Sequence, residues 1–285
     1  MHAIAGGEHI NINNIEMTKK ILFINHEMMP YVPETEMSLA GRELPQFVQD
    51  LGYEVRTFMP KWGNINERRG QLHPVQRLSG MNIIIDETDQ PLIIKVASIP
   101  QSRIQVYFID NEDYFNRIHT TDDISEADSG DNGERAIFFA RGVLDAVKKQ
   151  RWVPDIIHCQ GWISAVVPFY VKTAYKDEPA FANTKIITSL FKVEKDIYFG
   201  EKFKQSIPFR EATANLLEGY KDDFDLIELA KFAIDYSDAV TVVSEQFNPE
   251  LLDYVEKNGK QFLPYIQDRD SKAYSDFYHQ MLGDE

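Results

Sequence analysis

Cysteine is almost absent from this chain of 285 residues, which contains Cys159 alone. A single thiol excludes an internal disulfide framework and any zinc site built on paired cysteines. Most isolated cysteines of this kind are buried and inert, and we expect the same of Cys159. Because free thiols persist in reducing compartments, we also expect a cytoplasmic location.

Basic residues are scarce relative to acidic ones. The chain has 30 lysines and arginines against 45 aspartates and glutamates, which gives a formal net charge of −15. Phosphate backbones and anionic lipid surfaces both require basic protein surfaces, so neither nucleic acid nor membrane is expected as a partner. No continuous apolar run approaches the roughly 18 residues of a membrane-spanning helix.

Glycine is missing where a nucleotide-binding loop would need it. After the first apolar run, residues 21–24, no glycine occurs between Glu27 and Ala40. A phosphate-binding turn uses glycines so that backbone N–H groups can approach the ligand. Glu34 and Glu36 stand there instead, where they favour the start of a helix and repel phosphate. Metal-ligand spacings and a nucleophile elbow are also lacking, so we expect neither a metal nor a cofactor.

Regular alternation of apolar runs and helical stripes begins after Met17. Short apolar runs of this kind are typical of strands buried in a parallel sheet, and apolar residues at a spacing of three to four indicate helices. The predicted strands are residues 21–24, 54–59, 155–159, 185–190 and 239–243. The predicted helices are residues 38–50, capped by Ser38, and residues 132–150, 163–175, 225–236 and 245–256.

The middle of the chain departs from this alternation. Four short runs rich in strand-forming residues are separated by turn sequences, and an acidic stretch at 120–130 follows as a predicted exposed loop. The four runs are residues 75–78, 81–86, 92–98 and 105–109. The pattern predicts a doubly wound α/β fold with an antiparallel β excursion, and a ligand crevice at the carboxyl ends of the parallel strands.

The two ends of the chain differ from this central domain, residues 17–257. Residues 1–16 show no clear period, and we expect an arm that is either disordered or an addition ahead of a natural start at Met17. Residues 258–285 form a tail with four apolar side chains at helical spacing, Tyr274, Phe277, Tyr278 and Met281. We predict that residues 273–282 form a helix that docks on the domain or on a second copy; a frayed end is the alternative.

Polar residues at the predicted crevice are candidates for a binding site. His158, at the end of a strand, could act as a base or donate to a sugar, although a lone histidine at a strand end is more often a packed residue. Trp162 could stack on a sugar or belong to the core. Asp131 is a good helix N-cap, a role that leaves Asn132 and Arg135 beside it unexplained.

Several motifs together identify a family. In chain order they are Glu27-Met28-Met29-Pro30-Tyr31, Leu44-Pro45, Leu51-Gly52-Tyr53-Glu54-Val55-Arg56, Asp131-Asn132-x-x-Arg135, Pro154-Asp155-Ile156-Ile157-His158 followed by Trp162, and Asp238–Ser244. From about residue 20 to residue 250 the chain resembles the N-terminal catalytic domain of glycogen and starch synthases, glycosyltransferase family 5.

The resemblance implies the N-terminal half of an enzyme with two Rossmann-like domains. Such an enzyme transfers glucose from ADP-glucose or UDP-glucose to the non-reducing end of an α-1,4-glucan, with retention and without a metal. It also implies that six residues bind substrate: Glu27, Asp131, Asn132, Arg135, His158 and Trp162. Of these, His158 is the candidate catalytic residue.

The departures from the family pattern fall on its chemistry. The family's Lys-x-Gly-Gly loop becomes residues 33–36, Pro-Glu-Thr-Glu, and the second His and the Asp of His-x-His-Asp-Trp become Gln160 and Gly161. The Thr-x-His-Asn motif becomes residues 188–191, Thr-Ser-Leu-Phe. The match lacks the nucleotide-sugar domain. We therefore expect either a glucosyltransferase domain that is inactive alone and completed by a partner chain or homo-oligomer, or a non-catalytic glucan-binding or regulatory module.

Overall fold

The computed structural model describes residues 18–100, 102–116, 130–192, 196–269 and 271–283. The predicted loop at 120–130 therefore lies almost wholly outside the described residues, as does the arm at 1–16. The strands in the described residues are β1 (Lys20–Asn25), β2 (Glu54–Pro60), β3 (His73–Pro74), β4 (Met81–Ile85), β5 (Thr88–Ser98), β6 (Gln105–Asp110), β7 (Ile156–Gln160), β8 (Lys185–Leu190), β9 (Ala239–Val242) and β10 (Gln261–Leu263).

These strands form one sheet in the order β10-β9-β8-β7-β1-β2-β6-β5-β3, with β4 paired to β5. All neighbouring pairs from β10 to β6 are parallel. Strand β5 pairs antiparallel with β3, β4 and β6. The architecture confirms the predicted α/β fold, a mostly parallel sheet with an antiparallel excursion.

Helices cover both faces of the sheet. They are α1 (Glu36–Asp50), α2 (Asn132–Gln150), α3 (Val167–Lys172), α4 (Phe203–Ser206), α5 (Leu226–Asp235), α6 (Pro249–Lys257) and α7 (Lys272–Leu282), with a π-helical turn at Glu112–Asn116 and 3-10 turns at Trp162–Ser164 and Ala214–Leu217. Across the described ranges, every helix is too short or too polar to cross a membrane.

Helix α1 begins two residues before the predicted start. Thr35, not Ser38, is the N-cap: its side chain accepts from the Ser38 backbone N–H at 2.9 Å. The Ser38 hydroxyl in turn accepts from the Thr35 backbone N–H at 2.8 Å, which completes a capping box. Ser38 was a plausible cap because it supplies the second half of the same motif.

Other boundaries differ for local reasons. Residues 75–78, predicted as a strand, form a turn in which the Leu78 N–H donates to the Val75 carbonyl. The edge strand is instead β3, which has two residues and precedes this turn. The predicted helix 163–175 splits, because Pro168 lacks an N–H and fits only the first turn of α3. Helix α6 begins later than predicted, after the cap at Asn248. Strand β10 was not predicted.

The sheet centre positions the site. Strand β1 is completely buried from Ile21 to Asn25 and lies between β2 and β7. The chain leaves β1 for β2 on one side and returns to β7 on the other, so the strand order reverses at this point. A crevice for ligand is expected at the carboxyl ends of strands on either side of such a reversal.

The tail packs against this central region. Helix α7 buries Tyr274, Phe277, Tyr278 and Met281, the four apolar side chains of the predicted stripe. All four belong to the main apolar cluster of the domain. Within this chain the helix therefore docks on the body of the domain rather than fraying away from it.

Candidate functional site

A cleft of about 370 Å³ opens at the carboxyl ends of β1, β7 and β8. Its walls come from the loop after β1, the first turn of α1, the start of α2, the turn after β7, the end of β8, and α5. Three of the six predicted site residues line it, Glu27, Asn132 and Trp162. Arg135 and His158 lie behind this wall, and Asp131 is partly exposed next to Asn132.

Carboxylates gather where α1 begins. Glu27 is 93% buried, and its Oε2 accepts from the Thr35 hydroxyl at 2.8 Å. Glu36, in the first turn of α1, accepts from the Ser244 hydroxyl. Both acids line the cleft, as does Asp196, whereas Lys192 is the one lysine or arginine among the described lining residues. The cleft is therefore acidic at neutral pH.

Asn132 is held in place by Arg135. The Arg135 Nη1 donates to the Asn132 Oδ1 at 2.9 Å, and the Asn132 Nδ2 donates to the Tyr198 carbonyl at 2.9 Å. Arg135 is fully buried and also donates through Nε to the Tyr114 carbonyl. This arginine therefore fixes the amide at the cleft and does not line the cleft itself.

Asp131 does not use its side chain as predicted. It occupies the N-cap position of α2, yet its carboxylate makes no capping hydrogen bond. The carboxylate instead lies 3.7 Å from the Arg135 guanidinium, one helical turn further on. Asp131 is thus the N-cap residue, as predicted, but its carboxylate balances the buried charge of Arg135 and does not cap the helix.

His158 is a packed residue in a buried hydrogen-bonded chain. Its Nδ1 lies 2.6 Å from the Tyr278 hydroxyl and its Nε2 lies 2.7 Å from the Ser189 hydroxyl. Ser189 continues the chain to the Thr241 hydroxyl at 2.8 Å. Burial lowers the pKa of His158 to about 3, so the ring is neutral at physiological pH. Its connection with the cleft runs through Ser189, which lines the cleft.

His26 is a cleft residue that the sequence interpretation missed. It follows β1, it is 99% buried, and it lines the cleft beside Glu27. Its ring contacts two indoles, with centroids 5.2 Å from Trp62 and 5.1 Å from Trp162. Burial lowers the pKa of His26 to about 4, against the opposing effect of the Glu27 carboxylate. The one sequence signal that pointed to His26 was its position directly after the central strand β1.

Two expectations concerned metals and the lone thiol. Across the described ranges, no three His, Cys, Asp or Glu side chains converge to hold a metal ion. Cys159 is buried, and burial raises the pKa of its thiol despite a hydrogen bond with Ser164. A thiol in this environment stays protonated and unreactive.

With this geometry in view, the chain can be placed in a family. Residues 20–263 match the family described as the starch synthase catalytic domain, and the chain belongs to that family. It is 33% identical over 266 residues to a glycogen synthase of Chlorobaculum tepidum, which covers 93% of this chain and 52% of that protein. A glycogen synthase of Chlorobium luteolum is 37% identical over 172 residues, 60% of this chain and 35% of that protein.

The fold has a solved counterpart. The catalytic domain of starch synthase IV from Arabidopsis thaliana, bound to ADP and acarbose, superimposes with a TM-score of 0.70 at 17% identity. The match covers 90% of this chain and 53% of that one. The chain thus spans about half the length of the relatives that it matches. The family resemblance seen in the sequence motifs is confirmed.

Proposed function

We propose that the cleft binds glucose units of an α-glucan and that this chain alone does not transfer glucose from a nucleotide sugar. The observation that carries the proposal is the charge of the cleft. Glu27, Glu36 and Asp196 line it, against Lys192 among the described lining residues. A neutral sugar can use carboxylates as hydrogen-bond acceptors, whereas a diphosphate is repelled by them.

Transfer chemistry would need the opposite arrangement. Glycosyl transfer from a nucleotide sugar develops charge on the leaving diphosphate, and enzymes place cations or backbone donors at that point. In this chain Glu36 occupies the first turn of α1, where the helix dipole would otherwise favour an anion. The helix end is thus already neutralised by the protein's own carboxylate.

The sugar-binding part of the proposal has further support. Trp162 and Tyr198 offer aromatic surface, and the Asn132 amide lies among the lining residues. Aromatic faces with a few fixed polar groups suit the mixed apolar and hydroxylated surface of a hexose. The Arabidopsis neighbour was solved with acarbose as well as with ADP.

A glucosyltransferase is the second candidate. Family membership favours it, because the relatives named above are glycogen synthases. In that case a partner chain or a second copy would supply the groups that bind the nucleotide sugar. A nucleotide sugar and an α-glucan would then both be ligands, in the cytoplasmic location expected from the single cysteine.

Calorimetric titration of the purified chain separates the two candidates. We expect maltotriose to bind, ADP, ADP-glucose and UDP-glucose to bind only weakly, and no radiolabelled glucose to pass from either donor to glycogen. Glu36→Gln should tighten binding of ADP about threefold to tenfold, because it removes one like charge. Glu34→Gln is the matched control, since Glu34 is exposed and does not line the cleft. Steady transfer by the repurified chain would overturn the proposal.

A further inference from the structure

Three of the unpaired buried polar atoms in the described residues belong to side chains that line the cleft. In the described residues, neither ring nitrogen of His26 has a hydrogen-bond partner, and neither does the indole nitrogen of Trp162. Both side chains are more than nine-tenths buried, and both line the cleft. Buried polar groups are costly to leave unpaired and are normally paired in folded proteins. Because both side chains line the cleft, we take a ligand bound there as the source of the missing partners.

The His26 ring is fixed before any ligand arrives. The Trp62 indole N–H donates to the His26 carbonyl at 2.9 Å, and the His26 backbone N–H donates to the Gln160 carbonyl at 3.0 Å. The indoles of Trp62 and Trp162 both contact the imidazole in tilted arrangements. A side chain held in this way loses little conformational entropy when it binds a ligand.

Gly161 makes room for this imidazole. A Cβ atom at position 161 would lie 2.5 Å from the His26 Cβ and 2.9 Å from the Met37 sulfur. The φ of Gly161 is +81°, a conformation that disfavours other residues. The His26 side chain therefore occupies the space that a larger side chain at position 161 would need.

The chemistry of the unpaired atoms defines the ligand class. A neutral imidazole has one nitrogen that donates and one that accepts, and an indole nitrogen only donates. The Glu27 carboxylate, whose Oε1 lies 4.0 Å from the His26 Nε2, adds an acceptor. Alcohol hydroxyls both donate and accept, so adjacent hydroxyls of a neutral polyol can satisfy this set. A phosphate would be repelled by Glu27 and offers no proton to the accepting nitrogen.

We propose that His26 is a sugar-recognition residue, whose imidazole hydrogen bonds with a hydroxyl of a hexose unit next to the Trp162 indole N–H. The inference rests on the proposed function, because it requires a sugar in the cleft. It adds His26, which directly follows β1, to the residues of the family motifs as a determinant of sugar binding.

The test compares maltotriose binding by the whole chain and two matched variants. His26→Phe keeps an aromatic ring in contact with the two indoles and removes both ring nitrogens, and we expect at least about tenfold weaker binding. His73→Phe makes the same change at an exposed histidine and should bind as the wild type does. In parallel, the His26 ring nitrogens of the wild type are followed by ¹⁵N NMR, and we expect one of them to shift when maltotriose is added.

The outcomes separate the two proposals. If the wild type binds maltotriose and His26→Phe binds it equally well, the role of His26 is wrong and the proposed function stands. If the wild type does not bind any of the sugars, the proposed function fails, and this inference fails with it. Should His26→Phe not fold, the NMR result decides: a ring that does not shift in the sugar complex overturns the inference.

Discussion

Two tyrosines on helix α7 provide a matched pair of substitutions. The Tyr278 hydroxyl lies 2.6 Å from the Nδ1 of His158 in β7, and the contact is buried. The Tyr274 hydroxyl, one helical turn earlier, is also buried but has no hydrogen-bond partner in the described residues. Tyr278→Phe and Tyr274→Phe remove the same atom from the same helix, and we expect them to change the free energy of unfolding in different directions.

The magnitudes follow from what each hydroxyl leaves behind. Tyr278→Phe leaves a buried imidazole nitrogen of His158 without a partner, which costs about 1–3 kcal/mol. Tyr274→Phe leaves no orphan, because it removes a polar atom whose burial was not compensated. We expect that variant to be between neutral and about 1 kcal/mol more stable than the wild type.

Urea denaturation followed by circular dichroism measures both variants. The m-value should not change, since neither substitution alters the surface that unfolding exposes, so the midpoints report stability directly. Tyr278→Phe should shift the midpoint to lower urea and Tyr274→Phe should not. Equal losses in the two variants would show that packing of the ring, and not the hydrogen bond with His158, determines the contribution of each residue.

Two further predictions concern the tail and the buried histidine. Ending the chain after Arg269 removes the four buried side chains of α7, and the burial of each contributes about 1.5–3 kcal/mol to stability. Their sum is comparable with the roughly 5–15 kcal/mol that stabilises a whole domain, so we expect the truncated chain to lose cooperative thermal unfolding. An unchanged melting temperature would contradict the docking of α7. Folding lowers the pKa of His26 from 6.5 to about 4, so as the pH falls the unfolded chain binds this proton before the folded chain does. The contribution of the neutral His26 to stability is therefore full above pH 6.5 and declines towards pH 4. The wild type should therefore lose about 2 kcal/mol relative to His26→Phe between pH 7 and pH 5 in urea titrations, and a constant difference would refute the assignment.

Elements with strong local signals were predicted correctly from sequence. The stripe of apolar residues predicted a helix at 132–150, the bounds that α2 has in the structure. The apolar run at 185–190 likewise predicted β8 at its observed position. Strand β10 has only three residues, and its pairing with β9 depends on tertiary position rather than on any local pattern. The first turn of α1 was placed late because Thr35 and Ser38 are equally good capping residues, and only the backbone decides between them.

The site was predicted less completely than the fold. The strand-end rule together with the family motifs placed Glu27, Asn132 and Trp162 at the cleft, where the structure has them. It could not show that Arg135 and His158 point into the core, because side-chain direction depends on partners such as Tyr114 and Tyr278, which are distant in sequence. His26 was missed since the role proposed for it rests on the absence of hydrogen-bond partners, which is a property of the packed molecule. The roles of these residues in substrate binding stay predictions.

The hydrogen bond between His158 and Tyr278 also bears on how the protein is made. The two residues are 120 positions apart in the chain. At translation rates of about 5–20 residues per second, about 6–24 s pass between the synthesis of β7 and that of its partner on α7. Throughout that interval a polar ring at the centre of the sheet, and the apolar surface around it, remain uncovered on the ribosome. The core around His158 therefore closes only after the last helix of the chain has been made.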